Sequence, residues 1–178
     1  MAVRDSSGRF VKGSGGGGVK IRDVDRGAKA MLERIAGATL TNVTVGVHEA
    51  EGGEAHDEAD GLTILDVATM HEFGGTDEDG NESPPRRSFI GDWADEAEQE
   101  NKSDLRKISQ AVIKGKVPSL EQGLERFGVL AVAKVQARIR SGIAPELADS
   151  TKAQKGSSTP LISGGQLLGS ITHVVKKG

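Results

Sequence analysis

A chain of 178 residues accommodates one domain with extensions. Apolar residues at 35% and aromatics at 3% give a core built mainly from Leu, Ile, Val and Ala, and a net charge of −3 makes no general case for nucleic-acid binding. There is no cysteine, which excludes disulfides and thiolate metal sites. No apolar run approaches the roughly 20 residues a membrane-spanning helix needs, and no apolar h-region of a secretory signal stands at the N-terminus.

Residues 1–22 read as a flexible arm. Ser6-Ser7-Gly8 and the run from Gly13 to Gly18 disfavour a fixed backbone, and Arg4, Arg9, Lys12, Lys20 and Arg22 against Asp5 make the segment basic. Such an arm is either an unstructured leader or a segment that orders on a neighbouring subunit or on DNA in a channel. It is not a phosphate loop: Val19 separates Gly18 from Lys20 and Ile21 follows, where Gly-Lys-Ser/Thr is required.

The first helix is expected over residues 25–36, with Val24, Ala28, Met31, Leu32 and Ile35 as its apolar stripe, Asp23 or Asp25 as its cap and Gly37 as its end. Val43, Val45 and Val47 then alternate with Thr44, Gly46 and His48, the pattern of a half-buried strand. Residues 50–62 form an acidic loop whose spacing does not match a calcium-binding ladder. Thr63 to Phe73 reads as a helix with Ile64, Val67, Ala68 and His71 on one face and Gly74-Gly75 at its end. A second acidic turn, Asp77 to Glu82, precedes Pro84-Pro85, which force an extended entry into the next element.

A long helix is expected over residues 89–114, with Phe89, Trp93, Ala97, Leu105, Ile108 and Val112 on its apolar face and a polar middle, Glu96 to Asp104, that is exposed or broken. Gly115 and Pro118 close it. Ser119 and Gln122 fit a capping box opening a helix whose stripe is Leu120, Leu124, Phe127, Ala131 and Val135. Its acids (Glu121, Glu125) come early and its bases (Lys134, Arg138, Arg140) late, which suits the helix dipole, and Gly142 with Pro145 stops it. Residues 144–155 read as a short helix or irregular chain, and residues 156–160 as a loop. Ser163 to Gln166 gives a weaker capping box before a helix of about two turns carrying Leu167, Leu168 and Ile171. Residues 172–176 alternate again, and their natural strand partner is the 43–47 segment. The fold class is therefore α+β: a small antiparallel sheet packed by several helices, one domain over residues 23–178 behind the arm.

A search for chemistry finds little. No Gly-x-Ser-x-Gly elbow occurs. His48, His56, His71 and His173 lie in separate contexts, although His48 and His173 would face each other if the two strands paired. His71-Glu72 lacks the second His of a zinc protease. Nothing marks a carboxylate as buried for acid–base work. No catalytic residue, cofactor or metal is expected. Arg86-Arg87 reads either as two solvated arginines ahead of a helix or as interface anchors, since Arg makes bidentate contacts. Trp93, the single Trp, reads as a core residue.

One ordered set of features carries a resemblance. A helix and strand come first, then a helix ending His71-Glu72-Phe73-Gly74, then Pro84-Pro85-Arg86-Arg87-Ser88-Phe89, a basic-ended helix, and Gly156-Ser-Ser-Thr-Pro-Leu-Ile-Ser-Gly-Gly-Gln-Leu167 leading into Ser170-Ile171. Together, over residues 23–176, these resemble the virion-morphogenesis or tail-completion proteins of tailed bacteriophages. Ser163-Gly164-Gly165 departs from the Asp-Thr-Gly-like turn common in that family. The resemblance implies a structural subunit of the virion neck, assembled in the host cytoplasm into a homo-oligomeric, hexameric ring between head-side connector proteins and tail tube or terminator proteins. It implies no membrane partner. The candidate interface residues are Arg86, Arg87, Phe89, Leu161, Ile162 and Leu167. The candidate arm contacts, including non-specific contacts with genomic DNA in the channel, are Arg4, Arg9, Lys12, Lys20 and Arg22. A tail terminator or head-closure subunit is the near alternative. A nucleic-acid-binding module, built on the basic arm with Lys134, Arg138 and Arg140, is the alternative of another class. A metal-dependent enzyme would need His48, His56 and the acids of residues 51–60 to converge.

Overall fold

The computed structural model describes residues 3–4, 10–11, 27–36, 41–57, 61–77, 79–147, 161 and 165–177. In chain order the elements are β1 (Val3–Arg4), β2 (Phe10–Val11), α1 (Ala28–Ala36), β3 (Asn42–Val47), α2 (Glu49–Gly52), α3 (Ile64–Phe73), α4 (Gly91–Glu96), α5 (Glu98–Ile113), α6 (Leu120–Ser141), α7 (Gln166–Ser170) and β4 (Ile171–Lys176). The class is α+β, as the sequence indicates. Among the described residues, seven helices accompany the antiparallel β3–β4 pair, and β1 and β2 form a separate ladder of two residue pairs. The rest of the expected arm, with Arg9, Lys12, Lys20 and Arg22, lies outside the described residues, as do Ile162, Val24, Asp25, Gly37 and the 156–160 loop.

The β3–β4 pairing follows the alternation. Val43 stands opposite Val175, Val45 opposite His173 and Val47 opposite Ile171. Side chains alternate between faces along a strand, so these six share one face. That face packs on α6: Val45, Val47 and Ile171 join a core with Ile64, Ala68, Phe89, Val135, Ile139, Leu161 and Leu167. Parity also corrects one expectation. His48 and His173 do not face each other. His173 lies on the α6 side, with Nε2 2.8 Å from Glu125 Oε2. His48 lies on the other face, its ring nitrogens each 2.9 Å from the hydroxyls of Thr44 and Thr172.

The helix boundaries have local causes. Thr63 and Asp66 form a reciprocal cap at the start of α3: the Thr63 hydroxyl accepts from Asp66 N at 3.2 Å, and Asp66 Oδ2 accepts from Thr63 N at 2.9 Å. In α6, Ser119 Oγ accepts from Gln122 N at 3.2 Å, so the cap is made from the Ser side, and Gly142 at φ 85° ends the helix. Leu124, Phe127, Ala131 and Val135 are buried as the stripe requires, and Ile139 extends it. The expected 89–114 helix is two helices. Phe89 precedes α4, and Ala97 (φ −90°, ψ 6°) separates α4 from α5. Ala97 N still bonds Trp93 O and Asn101 N bonds Ala97 O, so the bend leaves those backbone groups satisfied. Part of the acidic 50–62 segment is helical, as α2, and Ala55 bridges to Thr63. The last helix is shorter than expected: Gly165, in the left-handed region at φ 78°, stands at its N-cap with no side-chain cap, and Ile171 already belongs to β4. The α1 stripe is not buried, since none of its nine residues is.

Candidate docking groove

The two motifs that lie 10 residues or more apart in sequence, His71-Glu72-Phe73-Gly74 and Pro84 to Phe89, form one unit in space. At the end of α3 the Glu72 carboxylate accepts four hydrogen bonds. Oε1 takes Ser88 Oγ at 2.5 Å and Gly91 N at 2.8 Å, and Oε2 takes Phe89 N at 3.0 Å and Ile90 N at 3.1 Å. The Ile90 and Gly91 amides are among the orphan donors at the start of α4, and a carboxylate there also meets the positive end of the helix. Burial alone would raise the Glu72 pKa, but the Ser88 hydroxyl and the three amides outweigh it and hold the carboxyl below its usual 4.5. A carboxylate kept ionised with its lone pairs engaged is a brace, and has no proton to give near neutrality.

The neighbouring arginines divide. Arg87 is 4% exposed. Its backbone N donates to His71 O at 2.7 Å, its Nε to Pro145 O at 2.7 Å and its Nη2 to Glu146 O at 3.2 Å. Burial pushes its pKa down. It thus ties the α3 end and the start of α4 to the chain leaving α6. Arg86 remains at the surface and donates to Asp92 Oδ1 at 2.7 Å, and that hydrogen bond lowers the Asp92 carboxyl from its usual range.

Beside this brace lies an open groove of about 390 Å³, lined by Val47, Leu65, Thr69, Phe73, Phe89 and Ile90. Phe73 is 74% exposed and Leu65 is exposed as well. Phe89, at 0% exposure, forms floor rather than rim.

No protein-family model, curated protein or solved structure matches this chain.

Placed against the sequence expectations, the candidate interface residues separate into surface and core. Arg86 is exposed. Arg87, Phe89, Leu161 and Leu167 are buried by this chain's own residues, so their side chains serve its interior; an arginine solvated ahead of a helix does not describe Arg87. Leu161 sits at φ 65°, a left-handed backbone that costs a non-glycine residue about 1–2 kcal/mol and is held here by its packing in the core. Arg4 falls in β1. Trp93 packs partly buried against the core. Sequence reasoning missed Glu72, Leu65 and Phe73. The signal for the last two was present: Leu65, Thr69 and Phe73 recur at i, i+4 and i+8, a second line down α3 beside the one formed by Ile64 and Ala68. Among the described residues no group of three His, Asp or Glu could hold a metal ion.

Proposed function

We propose that this chain is a structural virion protein of a tailed-virus head–tail junction, a ring-forming tail-completion subunit that links connector and tail. The observation that carries the reading is the joining of the two motifs behind the resemblance. The Glu72 brace and the Arg87 clamp make them one rigid platform, and an uncovered apolar groove opens beside it. Exposed apolar surface of this kind suits a protein whose partners cover it on assembly. A tail terminator or head-closure subunit would use the same features at a different level of the neck. The nucleic-acid reading loses part of its support, because Lys134 binds Glu100 and Asp104, and Arg138 binds Glu96, all within the chain.

The test is imaging of purified protein mixed with tailless heads and with free tails of its virus. Attachment at the head–tail junction is expected. A chain that decorates neither particle, yet binds DNA with steep salt dependence, would replace this reading with the nucleic-acid one.

A further inference from the structure

The two ends of α6 carry different surfaces. Helix α6 runs between them for 22 residues, about 33 Å at 1.5 Å per residue. At its N-terminal end, α1 and the end of α5 enclose a groove of about 190 Å³ lined by Arg34, Ile35, Ser109, Val112, Ile113 and Leu120. Leu32, Ile35 and Ile113 are exposed there. Arg34 lines this groove and donates to Ile113 O, Lys114 and Lys116 follow Ile113 in sequence, and nearby Lys177 is engaged by Glu121 at 2.6 Å. At the other end, the Arg87 bonds to Pro145 and Glu146 hold α3 and the turn after it beside the exit of α6. The turn after α3, from Asp77 to Glu82, contains four acidic residues and no Lys or Arg in sequence, and the exposed Arg86 beside Gly74 is paired with Asp92. Phe73, largely exposed, lies just before this turn.

We propose that the chain associates head to tail with a second copy of itself: Phe73 of one copy seats in the α1–α5 groove of the next, and the acidic turn beside it lies against Lys114 and Lys116. Charge decides the mode. A two-fold contact of the 77–82 turn on itself, or of Lys114 and Lys116 on themselves, would set like charges face to face, whereas the turn on the lysines is complementary and heterologous. Size agrees, since an apolar cavity of about 150 Å³ takes a benzene ring and the groove is somewhat larger. The contact also covers Leu32 and Ile35 of α1, which are exposed. A head-to-tail contact closes into a ring or runs on as a filament. It names the interface that the ring of the proposed function would use, and it can fail without that reading failing.

Mass photometry and sedimentation of the full chain test it. Oligomers are expected at low salt and dissociation as salt rises. Phe73→Ala should weaken association about tenfold or more, with the melting curve unchanged because the side chain is exposed. Phe73→Asp and Ile113→Asp disable opposite ends; each should be monomeric alone, and their mixture should stop at one-to-one pairs. A chain reversed at both ends, Asp77→Lys and Asp79→Lys with Lys114→Glu and Lys116→Glu, should associate again. Wild type that stays monomeric at all salt concentrations overturns the contact, as does association indifferent to both Asp variants or present only with DNA. A monomer that still attaches at the head–tail junction would overturn this contact alone and leave the neck assignment standing.

Discussion

Glu72 concentrates more consequence than its surroundings in sequence suggest. Its carboxylate satisfies the hydroxyl of Ser88 and three successive amides, so truncation strands several donors at once. Glu72→Ala is expected to cost about 1–3 kcal/mol, the range for leaving buried partners unsatisfied, read from denaturant midpoints. The pH dependence has a fixed sign. The folded pKa lies below the usual 4.5, so the stabilisation is complete above that value and is lost as pH falls through the lower folded value. Thermal melts of wild type and Glu72→Gln should therefore converge as the solution is acidified past this range; a gap that stays constant would show that the charge contributes nothing. Arg87→Ala leaves the carbonyls of Pro145 and Glu146 without their donor and a cavity at a buried site, at an expected cost of about 2–4 kcal/mol. Arg87→Lys should recover only part of this, because one ammonium on a flexible stem does not reproduce the fork that reaches both carbonyls.

At the scale of elements, the close approach of α6 to β4 depends on Gly128. A Cβ there would stand 2.2 Å from His173 Cδ2 and 2.9 Å from its Cβ, so both ring and backbone would have to move. Gly128→Ala gains helix propensity yet is expected to lose about 1–3 kcal/mol through overpacking. In a His173→Ala background the clash with the ring is removed and only the 2.9 Å approach to Cβ remains, so part of that loss should vanish, and a double-mutant cycle that shows simple additivity would contradict the packing account. The same elements show what sequence carries. The valine alternation of β3 and the caps and stripe of α6 are local patterns, and they placed the sheet and the central helix correctly. The start of α4 is not local: it is set by a carboxylate 17 residues upstream of Phe89, so a stripe that began at Phe89 looked like one long helix. Nor did composition mark the bend at Ala97, where the chain keeps its backbone hydrogen bonds on both sides. The two strand histidines were placed near each other but not by face, because face depends on register. Arg87 beside Arg86 could not be told apart in sequence, since what distinguishes them is the α6 exit arriving 58 residues later.

Across the whole molecule, stability is distributed unevenly along the axis between the two ends. Phe89, Val135, Ile139 and Ile171 are fully buried where α6, the sheet and the Glu72 brace meet. At the other end of α6, α1 has nine residues and buries none, and Arg34 ties it to α5 through a hydrogen bond to Ile113 O at 3.1 Å. Helices shorter than about 12 residues are marginal in water without tertiary packing. In the monomer, the α1 amides should thus exchange hydrogen at least about a hundredfold faster than those in the middle of α6, opening locally without global unfolding. Head-to-tail association would cover Leu32 and Ile35, so α1 should be the element whose exchange slows most in the oligomer, while α6 changes little. Equal protection of α1 and α6 in the monomer would mean that α1 is held by the chain itself, and its bare apolar stripe would then give no reason to expect a partner. Slowing confined to α1 and to the turn after Phe73 would locate both halves of the contact in one measurement, because those segments lie at opposite ends of a single copy and can only become protected together by meeting between copies.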